Sequence, residues 1–309
     1  MTADEQNRLA HILPNLKRRA LIYDFIRAFF KEHNFLEVET PVRAPAIAPE
    51  PNIVPFESEG WFLSASPELH MKRLLAAGYD KLFQFSHCFR KGERGLWHNP
   101  EFIMLEWYRK GIGYLSIIQD MEQLVQSVTG KLGLKNTIRY RGREINITPP
   151  WARITVRDAY IRVAGWDPVA DYDPAKFDVD FIAKVLPSFA PDRPTVLLDY
   201  PAPAASLARL KTGNPLVAER AEVFIGGLEL ANAYSELADA REQAVRFREA
   251  VEEIRRERGK TVPLPDKFLE SVARLPDCGG IALGVDRLVM LFCDAPSIDD
   301  VMAFTSDDA

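Results

Sequence analysis

The chain has 309 residues, enough for two domains of ordinary size or one large α/β domain with a substantial core. Hydrophobic residues make up 47% and charged residues 27%, near globular averages, which excludes a disordered, collagen-like or low-complexity chain. The formal charge of −5, from 39 Lys and Arg against 44 Asp and Glu, argues against a general polyanion binder and leaves room for a local basic site that takes a small nucleotide. Cys88, Cys278 and Cys293 are odd in number and form no C-x-x-C pair, so neither a disulfide framework nor a zinc knuckle is indicated and a reducing cytoplasm fits best. The N-terminus lacks the apolar core of a signal peptide and no run of 18 apolar residues occurs, so no membrane role is expected.

Taken in chain order, Leu16, Ala20, Tyr23, Ile26 and Phe30 keep helical spacing, and Phe35–Glu39 reads as a strand that stops at Pro41. Five prolines from Pro41 to Pro55 forbid regular structure there, and a strand resumes at Trp61–Ser64. Ser66-Pro67-Glu68 supplies a capping hydroxyl, a first-turn proline and a first-turn carboxylate for a short helix closing on Gly78. Leu82–Arg90 and Ile103–Tyr108 alternate in polarity and read as an antiparallel pair whose long, cationic connection is held out for function. A helix follows from Tyr114 to about Val128, then a hairpin at Arg141-Gly142 and a helix after Thr155-x-x-Asp158.

Late in the chain, TVLLDYP, ASLARL, AEVFI and LELANAYSEL read as antiparallel strands, the last two joined by a Gly226-Gly227 turn. Asp239 and Glu242 start a charged helix ending at Gly259 that reads as a solvated face. CGGIALGVDRLVMLF then places Gly280, Ala282 and Gly284 ahead of Asp286, Arg287 and an apolar helix.

These pieces, in this order, resemble the three signature motifs of class II aminoacyl-tRNA synthetases. The first helix, strand and Pro41 resemble motif 1, Phe89-Arg90 with HNPEFIMLEWY resembles motif 2, and GGIALGVDRL resembles motif 3. SPELHMKRLL, HNPEF, FIGGLELANAYSEL and GVDRLVML are further similar to the lysyl-tRNA synthetases and, more closely, to their short paralogues, the elongation factor P–(R)-β-lysine ligases. The likeness is strong over 16–41, 64–109, 217–242 and 276–304 and weak over 131–195. It implies an α+β class II catalytic core, an antiparallel sheet flanked by helices, as one domain over 1–309, and through motif 1 a homodimer.

Activating a carboxylate with ATP requires cationic groups and a divalent metal to neutralise charge on phosphate oxygens during attack on the α-phosphorus. The resemblance assigns Arg90 to the α-phosphate and Arg287 to the adenine and γ-phosphate, with Phe102 on the opposite adenine face. It adds Lys91, Gly92, Glu93, His98, Asn99, Leu230 and Gly284 to the nucleotide pocket, and gives Mg²⁺ to Glu222 and Glu229. Simple strand parity separates those two carboxylates, but the Gly226-Gly227 turn resets it so that they can converge.

Glu68, Glu106 and Glu236 match substrate-contacting carboxylates of the lysine-activating families, with Ser66, Pro67, Tyr108, Asn232, Tyr234 and Ala282 beside them. Three acids imply a dicationic substrate, because a buried carboxylate is costly without a cationic partner and a diamino acid provides one. Motif 2 usually has glutamate where Gly92 stands here, so the adenine contact falls to Gly92 or Glu93. Ala282 matches the short ligases, where lysyl-tRNA synthetases carry glycine. Only residues 1–15 precede motif 1, too few for an anticodon-binding barrel, so elongation factor P and not tRNA is the expected acceptor of (R)-β-lysine or lysine. The alternatives are a truncated synthetase charging tRNA, a ligase for another amino acid or acceptor, and a non-catalytic regulatory paralogue.

Overall fold

Thr2 opens the first helix: its hydroxyl accepts the Glu5 N–H at 3.1 Å while the Glu5 carboxylate accepts the Thr2 N–H at 3.3 Å. The computed structural model describes residues 2–307, so Met1, Asp308 and Ala309 of the expected 1–309 domain lie outside it. Helix α1 (Ala3–Glu32) therefore begins well before Leu16 and carries Pro14 in its interior. Its first turns are polar and bury only Ile12, which is why apolar spacing did not reveal them.

Strand β1 (Leu36–Glu37) and the three-stranded patch β2 (Arg43–Ala44), β3 (Glu57–Ser58) and β4 (Trp61–Leu63) follow, then α2 (Glu68–Ala76). The hairpin of β5 (Lys81–Phe89) and β6 (Glu101–Lys110) leads to α3 (Tyr114–Lys131), a small hairpin β7 (Thr137–Tyr140) and β8 (Arg143–Asn146), then β9 (Ala152–Thr155). Thr155 caps α4 (Val156–Ala164) by accepting the Asp158 N–H, and α5 (Pro174–Asp180) continues into a π-helical turn at Phe181–Val185. Strands β10 (Thr195–Pro201), β11 (Leu210–Lys211), β12 (Asn214–Ile225) and β13 (Leu228–Ser235) precede α6 (Ala240–Arg258) and α7 (Asp266–Val272). Strand β14 (Cys278–Gly284) and α8 (Val285–Cys293) complete the fold.

The main sheet runs β1-β5-β6-β14-β13-β12-β10-β9, with β11 pairing beside β12. Its interior is antiparallel, and the two edge pairings, β1 with β5 and β9 with β10, are parallel. The expected ASLARL strand shrinks to Leu210–Lys211. Pro201 and Pro203 lack N–H donors and Ser206 has φ 51°, so the chain turns where a ladder would need extended residues.

Alternation along these strands divides the sheet into two chemically different faces. Leu105, Trp107, Val223, Ile281 and Leu283 pack against Ile22, Ile26 and Phe30 of α1, Met121 and Leu124 of α3, and Leu288 and Val289 of α8. Each such side chain stabilises the fold by about 1.5–3 kcal/mol relative to exposure. The opposite face carries Glu106, Tyr108, Glu222, Asn232, Tyr234 and Glu236 into a cavity of about 1200 Å³.

Candidate active site

At one end of the cavity, three acids meet one base. Glu106 is held on both carboxylate oxygens, by the Ser66 hydroxyl at 2.5 Å and the Tyr108 hydroxyl at 2.7 Å. Ser66 also accepts the Glu68 N–H at 3.0 Å, so the capping hydroxyl serves pocket and helix alike, while Pro67 occupies the N-cap position and lies outside the lining. Lys72, one turn along α2, donates to Glu68 at 2.5 Å and pairs with Glu236. The cationic partner expected from a diamino acid is thus supplied in part by the protein's own Lys72. With all acids ionised, three carboxylates against one ammonium leave two negative charges, the complement of a diammonium ligand.

Burial, reinforced by the Glu68 charge, pushes the Glu106 carboxyl up to about 8. Burial likewise raises Glu236 to about 7, against the pull of Lys72. For Lys72, burial alone would lower the pKa, but the charges of Glu236 and Glu68 outweigh it and hold the ammonium above its ordinary range. Gly280 sits between Tyr108 and Glu236, and a Cβ there would collide with both side chains. Ala282 lies between Glu106 on β6 and Asn232 on β13.

The other end is cationic. The Arg90 guanidinium stacks over Phe102 at 5.3 Å, lies 3.8 Å from Glu93, and keeps a buried Nε without a hydrogen-bond partner. That orphaned donor suits an anionic oxygen. Arg287 donates to the carbonyls of Glu229 at 2.7 Å and Trp97 at 3.3 Å, and its Nη2 lies 2.5 Å from His98 Nε2. His98 must accept there, and burial followed by the Arg287 charge lowers its pKa, keeping it neutral. Leu230, Gly284 and Asn99 also line the cavity. The Asn99 amide is engaged by protein at both ends, donating to Glu101 O at 2.6 Å and accepting from the Ser306 hydroxyl at 2.6 Å, so it braces the β5–β6 loop. Lys91 and Gly92 lie outside the lining, whereas Glu93 is part of it. Lys91 instead ties its N–H to Val54 O at 2.8 Å.

Between the two ends stand Glu222 and Glu229. The Gly226-Gly227 turn, with φ 61° and 82°, sets Phe224 opposite Glu229 and so turns Glu222 and Glu229 to one face. An extra residue at Leu230 then shifts the register, placing Ala231 opposite Val223 and Asn232 opposite Glu222. Because of this bulge, Asn232, Tyr234 and Glu236 share the face of Glu229, and Asn232 donates to Glu229 at 2.8 Å. Arg220 braces the group by donating to Glu222 at 2.6 Å and to Asn232 at 3.1 Å.

Burial and then the Glu222 charge raise Glu229 to about 7. Among the described residues no group of three or more His, Cys, Asp or Glu could hold a metal ion. Two neighbouring carboxylates with oxygen lone pairs to spare nevertheless fit a hard cation whose other ligands come from a triphosphate and water.

Several lining residues were not singled out in the sequence. Glu50, in the proline-rich segment, projects into the cavity, and its carboxyl is raised to about 6 by desolvation against the pull of Arg90. Tyr172, Phe177 and Phe181 line another wall, in the region where the sequence was least informative. The solvated-face expectation for α6 also needs correction, because Gln243, Arg246, Phe247 and Glu253 line the cavity.

The pattern of the family described as tRNA synthetases class II (D, K and N) matches residues 6–308. A curated protein of Enterobacter sp. (strain 638), named elongation factor P–(R)-β-lysine ligase, is 41% identical over 316 residues, covering 96% of each chain. Proteins of the same name from Salmonella paratyphi A and Salmonella choleraesuis are 40% identical over 315 residues, again covering 96% of each. A match of this extent, on a sheet with this topology and a cavity on its polar face, means that the chain belongs to the class II tRNA synthetases of the D, K and N type.

Proposed function

We propose that the protein activates (R)-β-lysine, a lysine-type diamino acid, with ATP and transfers it to a lysine side chain of elongation factor P. The observation that carries this reading is the meeting, on one sheet face, of a pocket in which three carboxyl groups surround a single ammonium and a cationic end with an unpartnered Arg90 donor. The names of the relatives support the choice of amino acid and acceptor.

In the first step a carboxylate oxygen of the amino acid attacks the α-phosphorus, the bond to pyrophosphate breaks, and an acyl-adenylate forms. In the second, the acceptor amine attacks the acyl carbon, the carbon–oxygen bond to AMP breaks, and an amide forms as the amine loses a proton. Arg90 and Arg287 would stabilise the phosphate charge, Phe102 would stack on the base, and Glu68, Glu106 and Glu236 would orient the two ammonium groups. Glu222 and Glu229 would hold Mg²⁺, which supplies charge neutralisation on the triphosphate.

A homodimer is part of this reading, supported by exposed Leu21, Leu36 and Trp61 around the motif 1 elements. Exclusion of tRNA is supported by the net charge of −5. No helix among the described residues is long and apolar enough to cross a membrane.

Exchange of pyrophosphate into ATP with (R)-β-lysine and no tRNA, followed by intact mass measurement of elongation factor P, tests the proposal. The expected result is exchange and one added acyl mass. Exchange only with tRNA present, or an unmodified factor beside charged tRNA, would overturn it.

A further inference from the structure

The cavity extends past the amino-acid and nucleotide ends along α6, where its outer wall is again acidic. Glu249, Glu253 and Glu257 follow one another at four-residue spacing and all line it, as does Asp178. Among the described residues none of these four carboxylates has an ion pair. The nearby arginines are already committed. Arg246 donates to the carbonyls of Ser206 at 2.7 Å and Ala208 at 2.8 Å and pairs with Glu242, and Arg258 donates to Ile53 O at 2.9 Å and to Pro51 O.

A second feature of this wall points to a ligand independently. Gln243, on the first turn of α6, is 1% exposed and lines the cavity, yet neither its amide nitrogen nor its amide oxygen has a hydrogen-bond partner. A buried amide left unmatched at both atoms is costly unless something arrives to satisfy it. Both features ask for the same chemistry: a cationic chain that also carries amide donors and acceptors, which describes a polypeptide with a lysine and not an RNA phosphate backbone.

We propose that Glu249, Glu253, Glu257 and Asp178 form the docking wall for the lysine-bearing segment of the acceptor protein, and that Gln243 hydrogen-bonds that segment at the buried end. The proposal rests on the acyl-transfer reading above. The carboxylates attract the acceptor ammonium and hold its segment against the cavity mouth. They take no part in forming the adenylate, since none of them belongs to the pocket that binds the amino acid or the triphosphate.

The test compares wild type with the triple variant Glu249→Gln/Glu253→Gln/Glu257→Gln, using ATP, (R)-β-lysine and elongation factor P. The three side chains are on the helix surface, so the fold should survive. Pyrophosphate exchange should stay within about twofold of wild type, while kcat/KM for transfer should fall on the order of tenfold and lose much of its salt dependence. Gln243→Leu, of similar shape without the amide, should keep or raise Tm and still slow transfer, whereas a merely structural glutamine would lower Tm. Unchanged transfer by the triple variant, or a parallel loss of exchange, would overturn the proposal. Absence of exchange in wild type would instead refute the functional reading.

Discussion

Lys72 of α2 and Glu236 at the end of β13 form an ion pair whose side chains are 2% and 1% exposed, and Glu68 adds a second carboxylate at 2.5 Å from the same ammonium. The pair joins a helix to the sheet, with Glu236 lining the cavity and Lys72 buried behind it. Lys72→Gln would leave two carboxylates buried without their base. Removing one member of such a pair costs about 3–5 kcal/mol. We expect that loss in denaturant unfolding of the ligand-free variant at pH 8, and a smaller loss at pH 6, where protons can replace the ammonium. An equal loss at both pH values would mean that packing of the lysine stem, and not charge, is what matters.

The raised carboxyls give a signed pH dependence. Glu106 lies at about 8 in the folded protein against an ordinary 4.5, and Glu236 at about 7. A group raised on folding contributes stability that is complete below its unfolded value and is lost as pH rises through its folded value. Stability of the ligand-free protein should therefore decline from about pH 4.5 to about pH 8 and level off above, by up to about 1.4 kcal/mol per pH unit for each carboxyl still protonated in the folded state. Glu106→Gln should flatten the upper part of that decline, and bound diamino acid should do the same by keeping the acid ionised. A wild-type Tm that rises across this range would contradict the assignment.

How far the site was legible in the sequence depended on periodicity. Met104, Glu106 and Tyr108, and likewise Asn232, Tyr234 and Glu236, declared a common face because strands alternate, and the structure gives them one. Lys72 was overlooked although it follows Glu68 by one helical turn amid the apolar Leu69, Met71 and Leu75, a spacing that signals a buried pair. Arg220 is two residues from Glu222 on one strand and could have been found by the same alternation. The bulge at Leu230 carries no such signal. It arises from pairing with β12 and decides which residues join Glu229. The α5 wall was illegible for another reason: Tyr172 precedes α5, Phe177 lies in the middle of that seven-residue helix and Phe181 opens the π-helical turn, so no single period runs through the three.

Gly280 offers a test of the amino-acid end that leaves the charges in place. A methyl group there would overlap both the Tyr108 ring and a Glu236 carboxylate oxygen, and strands β6 and β13 flank the position on either side, so relief must come from moving those side chains. Gly280→Ala should raise KM for the diamino acid by roughly 10–200-fold, the range that a misfitted methylene produces in a pocket. KM for ATP should change little, because Arg90 and Arg287 lie at the other end. Steady-state exchange with each substrate varied in turn separates the two, and a matching rise in both constants would show a collapsed fold instead of a blocked pocket.

Arg287 tests the opposite end. Its hydrogen bonds among the described residues run to two backbone carbonyls and the neutral His98 nitrogen, so no carboxylate occupies its donors in place of an incoming phosphate. The guanidinium is thus preorganised by neutral acceptors. Arg287→Ala should lower the exchange rate on the order of 10²–10³-fold, the effect of deleting one preorganised charge-stabilising group. Arg287→Lys should recover little, because a point charge can neither stack on a base nor bridge two carbonyls as the planar fork does. Circular dichroism and sedimentation should show both variants folded with the wild-type association state, and exchange within about twofold of wild type by a folded Arg287→Ala protein would remove this arginine from the nucleotide site.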